Sequence, residues 1–159
     1  MVSQGDSGDR TVASNRRARH EYEILETVEA GLVLRGTEVK SLRAGQITFK
    51  DAYATIRNRE AWLIGCHISP YSHGTDANHD PERDRKLLLH GREISRLTGK
   101  TAERGLTLVP LRLYFKQGRA KLELGLARGK KLHDKRSALR EREVRREMDK
   151  AAREGRKRW

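Results

Sequence analysis

The fold is decided by residues Leu106–Ala127, which read L-T-L-V-P-L-R-L-Y-F-K-Q-G-R-A-K-L-E-L-G-L-A. This stretch is the clearest strand hairpin in the chain. In its first half, the apolar residues Leu111, Leu113 and Phe115 alternate with Arg112, Tyr114 and Lys116. Such alternation is typical of a strand with one buried face. Gly118 permits the turn, and Pro110 lacks an amide donor, so it marks an edge position or a bulge. We predict strands at Leu106–Gln117 and Arg119–Ala127.

The alternation stops within the next stretch, G-L-A-R-G-K-K-L-H-D-K-R, residues Gly125–Arg136. Five cations fall within nine of these residues: Arg128, Lys130, Lys131, Lys135 and Arg136. His133 can stack on a base or bond to its edge, and Asp134 can orient a neighbouring side chain. The stretch therefore predicts the end of a folded body, residues 15–128, and the start of a basic tail, residues 129–159. The alternative is a tail that coats phosphates without specificity.

The charge of the whole chain is large and unevenly distributed. Its 159 residues fit one domain with arms, and they carry 35 lysines and arginines against 22 acidic residues, a net charge of +13. Residues 125–159 alone hold 14 basic and 6 acidic residues. Such asymmetry favours a polyanionic partner such as nucleic acid. A surface charged for solubility is the alternative, and an anionic membrane is disfavoured because the tail lacks large apolar anchors.

The cysteine count and the hydropathy pattern indicate the compartment. Cys66 is the only cysteine, so neither an intrachain disulfide nor a cysteine-rich zinc site is predicted. A lone thiol in a strand-like run is typical of a small buried apolar residue. The start of the chain has no apolar run, and no segment approaches the roughly 20 apolar residues of a membrane span. We expect a cytoplasmic protein without a membrane anchor.

The remaining elements are predicted from local patterns. Residues 1–14 are rich in Gly, Ser and Asp and predict a disordered leader. We predict strands at Glu21–Leu34, broken at Gly31, and at Tyr53–Arg57 and Trp62–Ile68. We predict helices at Thr37–Leu42, capped by Thr37 and ended by Gly45, and at Glu93–Glu103. A loop is predicted at Ser69–Asp84. These elements predict a mainly β fold with short helices (α+β), and an OB-fold-like closed antiparallel barrel in particular, with a sandwich as the alternative. The tail from Lys130 onward is expected to be disordered when free, because its apolar stripe is thin.

The sequence contains no common catalytic motif. It has neither a phosphate-binding Gly-rich loop nor a nucleophile elbow. His73, Asp76, His79 and Asp80 share one loop, but turn formation explains this loop better than metal binding does. We therefore predict neither an enzyme nor a metal or cofactor site, and a metal-dependent nuclease is a remote alternative.

RNA binding has better candidates. With aromatic residues at only 5%, a stacking platform for single strands is not predicted, so a folded RNA held by phosphate contacts and shape is favoured. The candidate contacts on the body are basic: Arg16, Arg17, Arg19, His20, Lys40, Arg43 and Lys86. A ribosomal or general RNA-binding protein with a basic tail remains the alternative.

Four segments carry a resemblance to a known family: N-R-R-A-R-H-E-Y (Asn15–Tyr22), E-A-G-L-V-L-R-G-T-E-V-K-S-L-R-A-G (Glu29–Gly45), H-D-P-E-R-D-R-K-L-L-L-H (His79–His90) and the Gly125–Arg136 stretch. In this order they resemble the SsrA-binding protein (SmpB) family, over about residues 15–150. The resemblance implies an OB-fold protein, not an enzyme, that binds the tRNA-like domain of transfer-messenger RNA (tmRNA). With elongation factor Tu, that complex enters stalled ribosomes, where the protein's tail lies as a helix in the decoding centre and the empty mRNA channel.

The resemblance also implies roles for individual residues. Asn15, Glu29 and Leu88 match positions linked to tmRNA binding, with Leu88 expected to act through packing and Glu29 expected to position a base or a neighbouring arginine. The matching tail residues are Gly129, Lys130, Lys131, His133, Asp134, Lys135 and Arg136, of which His133 matches the histidine of the decoding centre. The state of assembly, expected to be monomeric, and any role of Trp159 do not follow from the motifs.

Overall fold

A computed structural model describes residues 10–72, 78–103, 105–130 and 142–153. The chain divides into two units, Met1–Arg128 and Gly129–Trp159. In the described part of the first unit, the strands are β1 (Arg10–Ser14), β2 (Tyr22–Leu32), β3 (Ile47–Thr48), β4 (Tyr53–Arg57), β5 (Glu60–Ile64), β6 (His67–Ile68), β7 (Arg85–Leu88), β8 (Leu106–Lys116) and β9 (Arg119–Gly129). The helices there are α1 (Arg16–Glu21), α2 (Gly36–Arg43) and α3 (Gly91–Thr101). The prediction of a mainly β protein with short helices is confirmed.

The strands form one large sheet and one small one. The large sheet has the order β1-β8-β4-β5-β7-β2-β9, and β8 also pairs with β9. A separate two-stranded sheet pairs β3 with β6. Side chains of the large sheet form most of the core, and Leu63, Leu87, Leu113, Leu122 and Leu124 are all fully buried. None of the helices in the described ranges is long and apolar enough to cross a membrane.

The β8–β9 hairpin forms as predicted, with Lys116 opposite Arg119 and Gly118 in the turn. The register shifts between Pro110 and Arg112, which confirms a bulge at the proline. Because a bulge changes which side chains face inward, the two ends of β8 pack differently. Leu113 joins the main core, whereas Val109 and Leu111 join a second apolar cluster with Ala18 and Ala127. Helix α1 therefore covers the outer side of the hairpin.

The prediction of a disordered leader is wrong for residues 10–14, which form β1. This strand pairs antiparallel with β8, with Arg10 opposite Phe115 and Ser14 opposite Arg112. The partner strand lies about a hundred positions further along the chain, so no local pattern reveals the pairing. Residues 1–9 lie outside the described residues. Residues 15–20, which include the candidate contacts Arg16, Arg17, Arg19 and His20, are the N-cap and most of helix α1.

Two predicted strands have different limits because of glycines. Strand β2 runs through Gly31 instead of breaking there, and Gly31 lies opposite Leu88 on β7. The predicted strand Trp62–Ile68 is interrupted at Gly65, whose φ of +78° is the left-handed region that favours glycine. The interruption shifts the alternation, so Ala61 and Leu63 face the core before it and Cys66 and Ile68 face the core after it.

The two predicted helices of the body, α2 and α3, begin at residues other than the predicted ones. Arg35, not Thr37, is the N-cap of α2, and its amide donates to the Glu38 carboxylate at 2.8 Å. The helix ends before Gly45, as predicted, at a φ of +73°. Helix α3 starts at Gly91, two residues before the prediction, with His90 as its N-cap. Cys66 is buried, and burial raises the pKa of its thiol to about 11, which agrees with an apolar core role.

In the second unit, residues 142–153 form a helix, α4, and every one of its residues is exposed. Most of its residues are strong helix formers, such as Arg, Glu, Met, Ala and Lys. That the tail is disordered when free stays a prediction, because a helix whose residues are all exposed is marginal in water. The rest of the predicted tail, residues 131–141 and 154–159, lies outside the described residues.

Candidate nucleic-acid interface

Asn15 fastens helix α1 to the body. Its Oδ1 accepts a hydrogen bond from the Ala18 amide at 3.2 Å, and its Nδ2 donates to the Pro110 carbonyl at 2.8 Å. Its own amide donates to the Leu111 carbonyl at 2.7 Å. The residue is only 9% exposed. Asn15 therefore positions α1 against the bulge of β8, and the structure gives its side chain a capping role.

The candidate cations of α1 lie on its outer side. Arg17 contacts Glu21 at 2.9 Å and Asp51 at 3.3 Å, while Arg19 contacts Glu123 at 3.4 Å. Arg16 is exposed and His20 is half-buried. Exposed ion pairs of this kind contribute little stability, so an RNA phosphate can compete for these cations at small cost. Helix α1 presents its charges as a group because Asn15 and Ala18 hold it in place.

Substitution of Asn15 with Ala is expected to lower stability by about 1–2 kcal/mol, because α1 loses its cap and the Pro110 carbonyl loses its donor. For a protein of this size that is a fall in Tm of roughly 2–8 °C, measurable by circular dichroism. Affinity for a tRNA-like RNA falls with it as the α1 cations lose alignment. Ser14→Ala, at the exposed neighbouring position, is the control. An unchanged Tm with reduced RNA affinity would show instead that Asn15 is a direct contact.

Glu29 lies in a polar cluster that joins β2 and β8, in which Glu29 is partly exposed and Tyr114 is buried. Its carboxylate accepts hydrogen bonds from the Tyr114 hydroxyl and from Lys116 Nζ, the latter at 3.5 Å. The Tyr114 hydroxyl bond, followed by the charge of Lys116, holds the pKa of Glu29 below its usual range despite some burial. Burial and the same bond raise the pKa of Tyr114. The side chains that contact Glu29 here are thus a tyrosine and a lysine, not the neighbouring arginine, and the alternative that Glu29 positions a base stays a prediction.

The cluster continues from Tyr114 toward α1. The Arg112 guanidinium lies 4.1 Å from the centroid of the Tyr114 ring and 3.3 Å from the Glu123 carboxylate. Glu123 in turn contacts Arg19. This chain of contacts, from Glu29 to Arg19, fixes several cations on one surface. We refer to it as the Glu29–Tyr114 cluster, comprising Glu29, Arg112, Tyr114, Lys116 and Glu123.

Glu29→Gln and Tyr114→Phe are expected to lower the affinity for a tRNA-like RNA by similar amounts, and the double variant is expected to lose no more than either single one. The reason is that Glu29 acts through Tyr114 and Lys116, so one interaction is removed twice. The coupling should be about 0.5–1.5 kcal/mol, the value of one hydrogen bond. Fluorescence anisotropy measures it. The control is Glu26→Gln, which lies on β2 like Glu29 and removes the ion pair between Glu26 and Arg96. Additive losses of affinity in the double variant would contradict the account that Glu29 and Tyr114 act through one interaction.

Leu88 is not buried in the core of the body, and the expectation that it acts through packing stays a prediction. The side chain is 54% exposed, and its Cβ lies 3.2 Å from where a Cβ on Gly31 would stand. It lines a cleft of about 270 Å³ whose other walls come from β2, α2 and the β8–β9 turn, including Arg119 and Lys121. Phe115 lies in the same cleft, and Arg43 stands 5.5 Å from its ring centroid. Leu88 is therefore an exposed apolar contact beside cations.

Lys40 and Lys86 lie on neighbouring elements. Lys40, on α2, is 5.4 Å from the Tyr71 ring centroid, a cation–π distance. Lys86, on β7, contacts Glu60 at 3.2 Å. Both amines are on the surface, and both are partly oriented by these partners. The structure thus brings Arg43, Leu88 and the β8–β9 turn together, whereas it places the α1 cations beside the Glu29–Tyr114 cluster.

A buried charge network, which the sequence analysis missed, holds α2 against the sheet. Glu38 and Arg85 are both 0% exposed, and Arg85 Nε donates to Glu38 Oε2 at 2.5 Å. Arg85 also donates to the carbonyls of Cys66 at 2.7 Å and Pro81 at 2.9 Å. Arg83 Nε donates to both Glu38 oxygens, at 3.2 and 3.1 Å. Burial alone would raise the pKa of Glu38, but the bonds from Arg83, the Arg35 amide and Arg85 lower it.

In the loop predicted at Ser69–Asp84, the described histidine, His79, holds the fold together through hydrogen bonds. His79 is buried, and its Nδ1 and Nε2 lie 2.9 Å from Thr37 Oγ1 and the Ile68 carbonyl respectively. With both ring nitrogens engaged, His79 cannot also coordinate a metal. Among the described residues no group of three or more acidic, histidine or cysteine side chains could hold a metal ion. His73 and Asp76 lie outside the described residues.

The predicted tail residues are only partly described. Arg128 and Gly129 belong to strand β9, where Arg128 lies opposite Leu106, and Lys130 follows as a half-buried residue. The tail motif therefore begins inside the last strand and not after it. The other members, Lys131, His133, Asp134, Lys135 and Arg136, lie outside the described residues.

Cations held at fixed positions on a mainly β body, with further cations on a separate C-terminal unit, define a nucleic-acid-binding protein. Comparison with known proteins gives the family. The family described as SmpB protein matches residues 12–154. The chain is 62% identical over 145 residues to the SsrA-binding protein of Desulforudis audaxviator, covering 91% of this chain and 95% of that protein. It is 61% identical over 148 residues to the SsrA-binding protein of Thermosynechococcus vestitus, covering 92% and 97%. The chain belongs to the SmpB family.

A solved structure agrees with this assignment. A chain in the structure described as "tmRNA-SmpB: a journey to the center of the bacterial ribosome" is 55% identical to this chain, with a TM-score of 0.66. The match covers 80% of this chain and 94% of that one. The fold and the family therefore agree along most of the body.

Proposed function

We propose that this chain binds the tRNA-like domain of tmRNA and delivers it to stalled ribosomes in trans-translation. The observation that carries the proposal is the high identity, along nearly the whole chain, to proteins named for binding SsrA RNA. The geometry supports it, because the candidate cations of the body are fixed by a cap, a hydrogen-bonded cluster and a buried ion network. Fixed cations suit an RNA recognised by its shape and its phosphates.

We infer further that the large sheet closes as an OB-type barrel. The pairings run β8–β4–β5–β7–β2–β9, and β9 pairs again with β8. Because β9, at one end of this series, also pairs with β8, at the other end, the series closes on itself and leaves few open edges, as in a closed barrel. OB-folds commonly present one face and its loops to nucleic acid. In this protein, α1 and the Glu29–Tyr114 cluster lie on the outer side of β8 and β9.

The proposal gives the second unit a separate task on the ribosome. Arg128, Gly129 and the motif through Arg136 would contact the decoding centre, and α4 would occupy the empty mRNA channel. The described residues of α4 support this task, because its cations at positions 142, 145, 146, 150 and 153 fall within an arc of about 140° at 100° per residue. Asp149 lies within the same arc, so this face is mainly but not wholly basic. A net positive face along an exposed helix suits a groove lined by phosphates.

The proposal also defines the complex in which the protein acts. Elongation factor Tu joins through tmRNA, and the protein works in the cytoplasm as a monomer. It binds and positions RNA, and it catalyses no reaction.

Direct binding tests the proposal. The full chain is titrated with a labelled tRNA-like RNA and with a fully paired RNA of the same length, at about 150 mM salt to limit nonspecific attraction. We expect clearly tighter binding to the tRNA-like RNA, since its bend and loops match positions fixed on the body. Equal affinity for the two RNAs would favour the general RNA-binding alternative.

A further inference from the structure

One pocket of the body contains residues that no motif or family role accounts for. It lies between α1, the turn at residues 49–52, and strands β4 and β8, with a volume of about 190 Å³. Its lining includes Arg17, Glu21, Tyr22, Lys50, Asp51 and Tyr53. Asn15 and Ala18 also line it, so the same contacts that fasten α1 to β8 form its wall. We call it the Tyr53 pocket.

Tyr53 offers an aromatic surface at this pocket. Its side chain is 46% exposed, and among the aromatic residues of the described ranges it is the one in the exposed class. The backbone of Tyr53 is held in strand β4 opposite Ile64, and its neighbour Ala54 is buried. The ring therefore stands on a rigid support. A single exposed aromatic cannot hold a run of bases, but it can stack on one unpaired base.

The charges at the pocket favour a group that carries hydrogen-bond donors over a phosphate. Arg17 lies 2.9 Å from Glu21 and 3.3 Å from Asp51, and Lys50 lies 2.7 Å from Glu82. Each cation at the pocket thus stands beside at least one carboxylate, and the Asp51 carboxylate, at 87% exposure, is the accessible acceptor. Such a pocket suits a neutral planar group that presents N–H donors.

The turn that carries Asp51 is also ordered. The Ala52 amide donates to the Phe49 carbonyl at 2.8 Å, which closes a four-residue turn. Lys50 adopts a φ of +50° within it. Asp51 is therefore held at the rim with its carboxylate facing solvent, as its 87% exposed side chain shows. Guanine has adjacent donors at N1 and N2, and a carboxylate accepts both at once.

We propose that the Tyr53 pocket binds one unpaired guanine of the RNA, with the base stacked on Tyr53 and its N1 and N2 donors directed to Asp51. The inference rests on the proposed RNA-binding function and adds a base-specific contact to it. It assigns roles to Tyr53 and Asp51, which the body's phosphate contacts do not require. Arg16, exposed on the adjacent helix, supplies a cation for the neighbouring phosphate.

Kethoxal footprinting tests the pocket, because this reagent attacks N1 and N2 of unpaired guanines. The full chain is bound to a tRNA-like RNA in one arm and to small ribosomal subunits in the other, so the arm with the protected base identifies its source. We expect one guanine that is protected by the wild type and by Tyr53→Phe but becomes reactive with Tyr53→Ala and with Asp51→Asn. Leu25→Ala, similarly exposed on β2 at 43%, should keep the protection.

The affinity for the identified RNA should fall about five- to 150-fold in Tyr53→Ala, the range for loss of one stacked base. Changing the protected guanine to adenine should weaken wild-type binding and have little further effect in Tyr53→Ala. Guanine protection that persists in Tyr53→Ala would overturn the pocket assignment while leaving the proposed function intact. If the wild type binds the tRNA-like RNA but protects no guanine in either arm, the pocket assignment fails and the proposed function stands; if the wild type does not bind the tRNA-like RNA, the proposed function itself fails.

Discussion

Removal of residues 130–159 is expected to abolish ribosome rescue while leaving the binding of a tRNA-like RNA nearly intact. The body keeps the capped helix α1, the Glu29–Tyr114 cluster and the exposed Leu88, which carry the proposed contacts with tmRNA. The deletion removes the basic face of α4 and most of the tail motif. Any remaining loss of affinity should be below about tenfold and should shrink as salt is raised, because it reflects only nonspecific phosphate attraction.

Two measurements on the same preparations check this expectation. Anisotropy gives the affinity for the RNA, and a reconstituted translation reaction on a message without a stop codon gives the tagging of the stalled peptide. Deletion of residues 154–159 alone is the control, because it removes cations but leaves α4 and the motif through Arg136. If removal of residues 130–159 abolishes most of the RNA affinity at physiological salt, the tail is a general RNA-binding arm and the division of tasks is wrong.

Glu38→Gln is expected to destabilise the body by about 3–5 kcal/mol, because Arg85 would remain fully buried without a compensating charge. That is a large part of the roughly 5–15 kcal/mol that holds a typical domain together. The corresponding fall in Tm is roughly 6–20 °C. Helix α2 would also lose its attachment to Arg83, so Lys40 and Arg43 would no longer be fixed. Urea unfolding measures the effect, with Glu26→Gln at an exposed pair as the control.

The pH dependence of this effect has a definite sign. The folded-state pKa of Glu38 lies below its unfolded value of about 4.5, so the carboxylate stabilises the fold above that pH. The contribution is lost as pH falls through the lower, folded-state pKa. The stability difference between wild type and Glu38→Gln should therefore be largest near neutral pH and should decrease below about pH 4.5. A difference that stays constant down to pH 3 would contradict a charge-based role.

Local patterns predicted the elements whose partners are close in sequence. The β8–β9 hairpin follows from alternation around Gly118, and the bulge follows from Pro110. Strand β1 was missed because its partner lies far along the chain. In the predicted strand Trp62–Ile68, Gly65 adopts the left-handed region and shifts the alternation, so the core-facing positions change from odd-numbered residues before it to even-numbered residues after it. Such a shift depends on backbone geometry that composition does not reveal.

The candidate site was predicted as a set of residues but not as a set of contacts. The cations were evident from charge, yet only the fold shows that Glu29 bonds to Tyr114, 85 positions away. Glu38 and Arg85, 47 positions apart, looked like ordinary surface charges because nothing in the sequence indicates their burial. The family resemblance predicted roles for both Asn15 and Leu88, and the fold distinguishes the two residues. Asn15 is a buried helix cap, whereas Leu88 is an exposed apolar side chain.

The central claim, that the body binds a tRNA-like RNA, is tested most directly by isolating the protein from its own cells and sequencing the RNA bound to it. The account predicts strong enrichment of one RNA with a tRNA-like domain, both for the full chain and for the chain without residues 130–159. Recovery of a broad mixture of transcripts, with no tRNA-like species enriched, would contradict it.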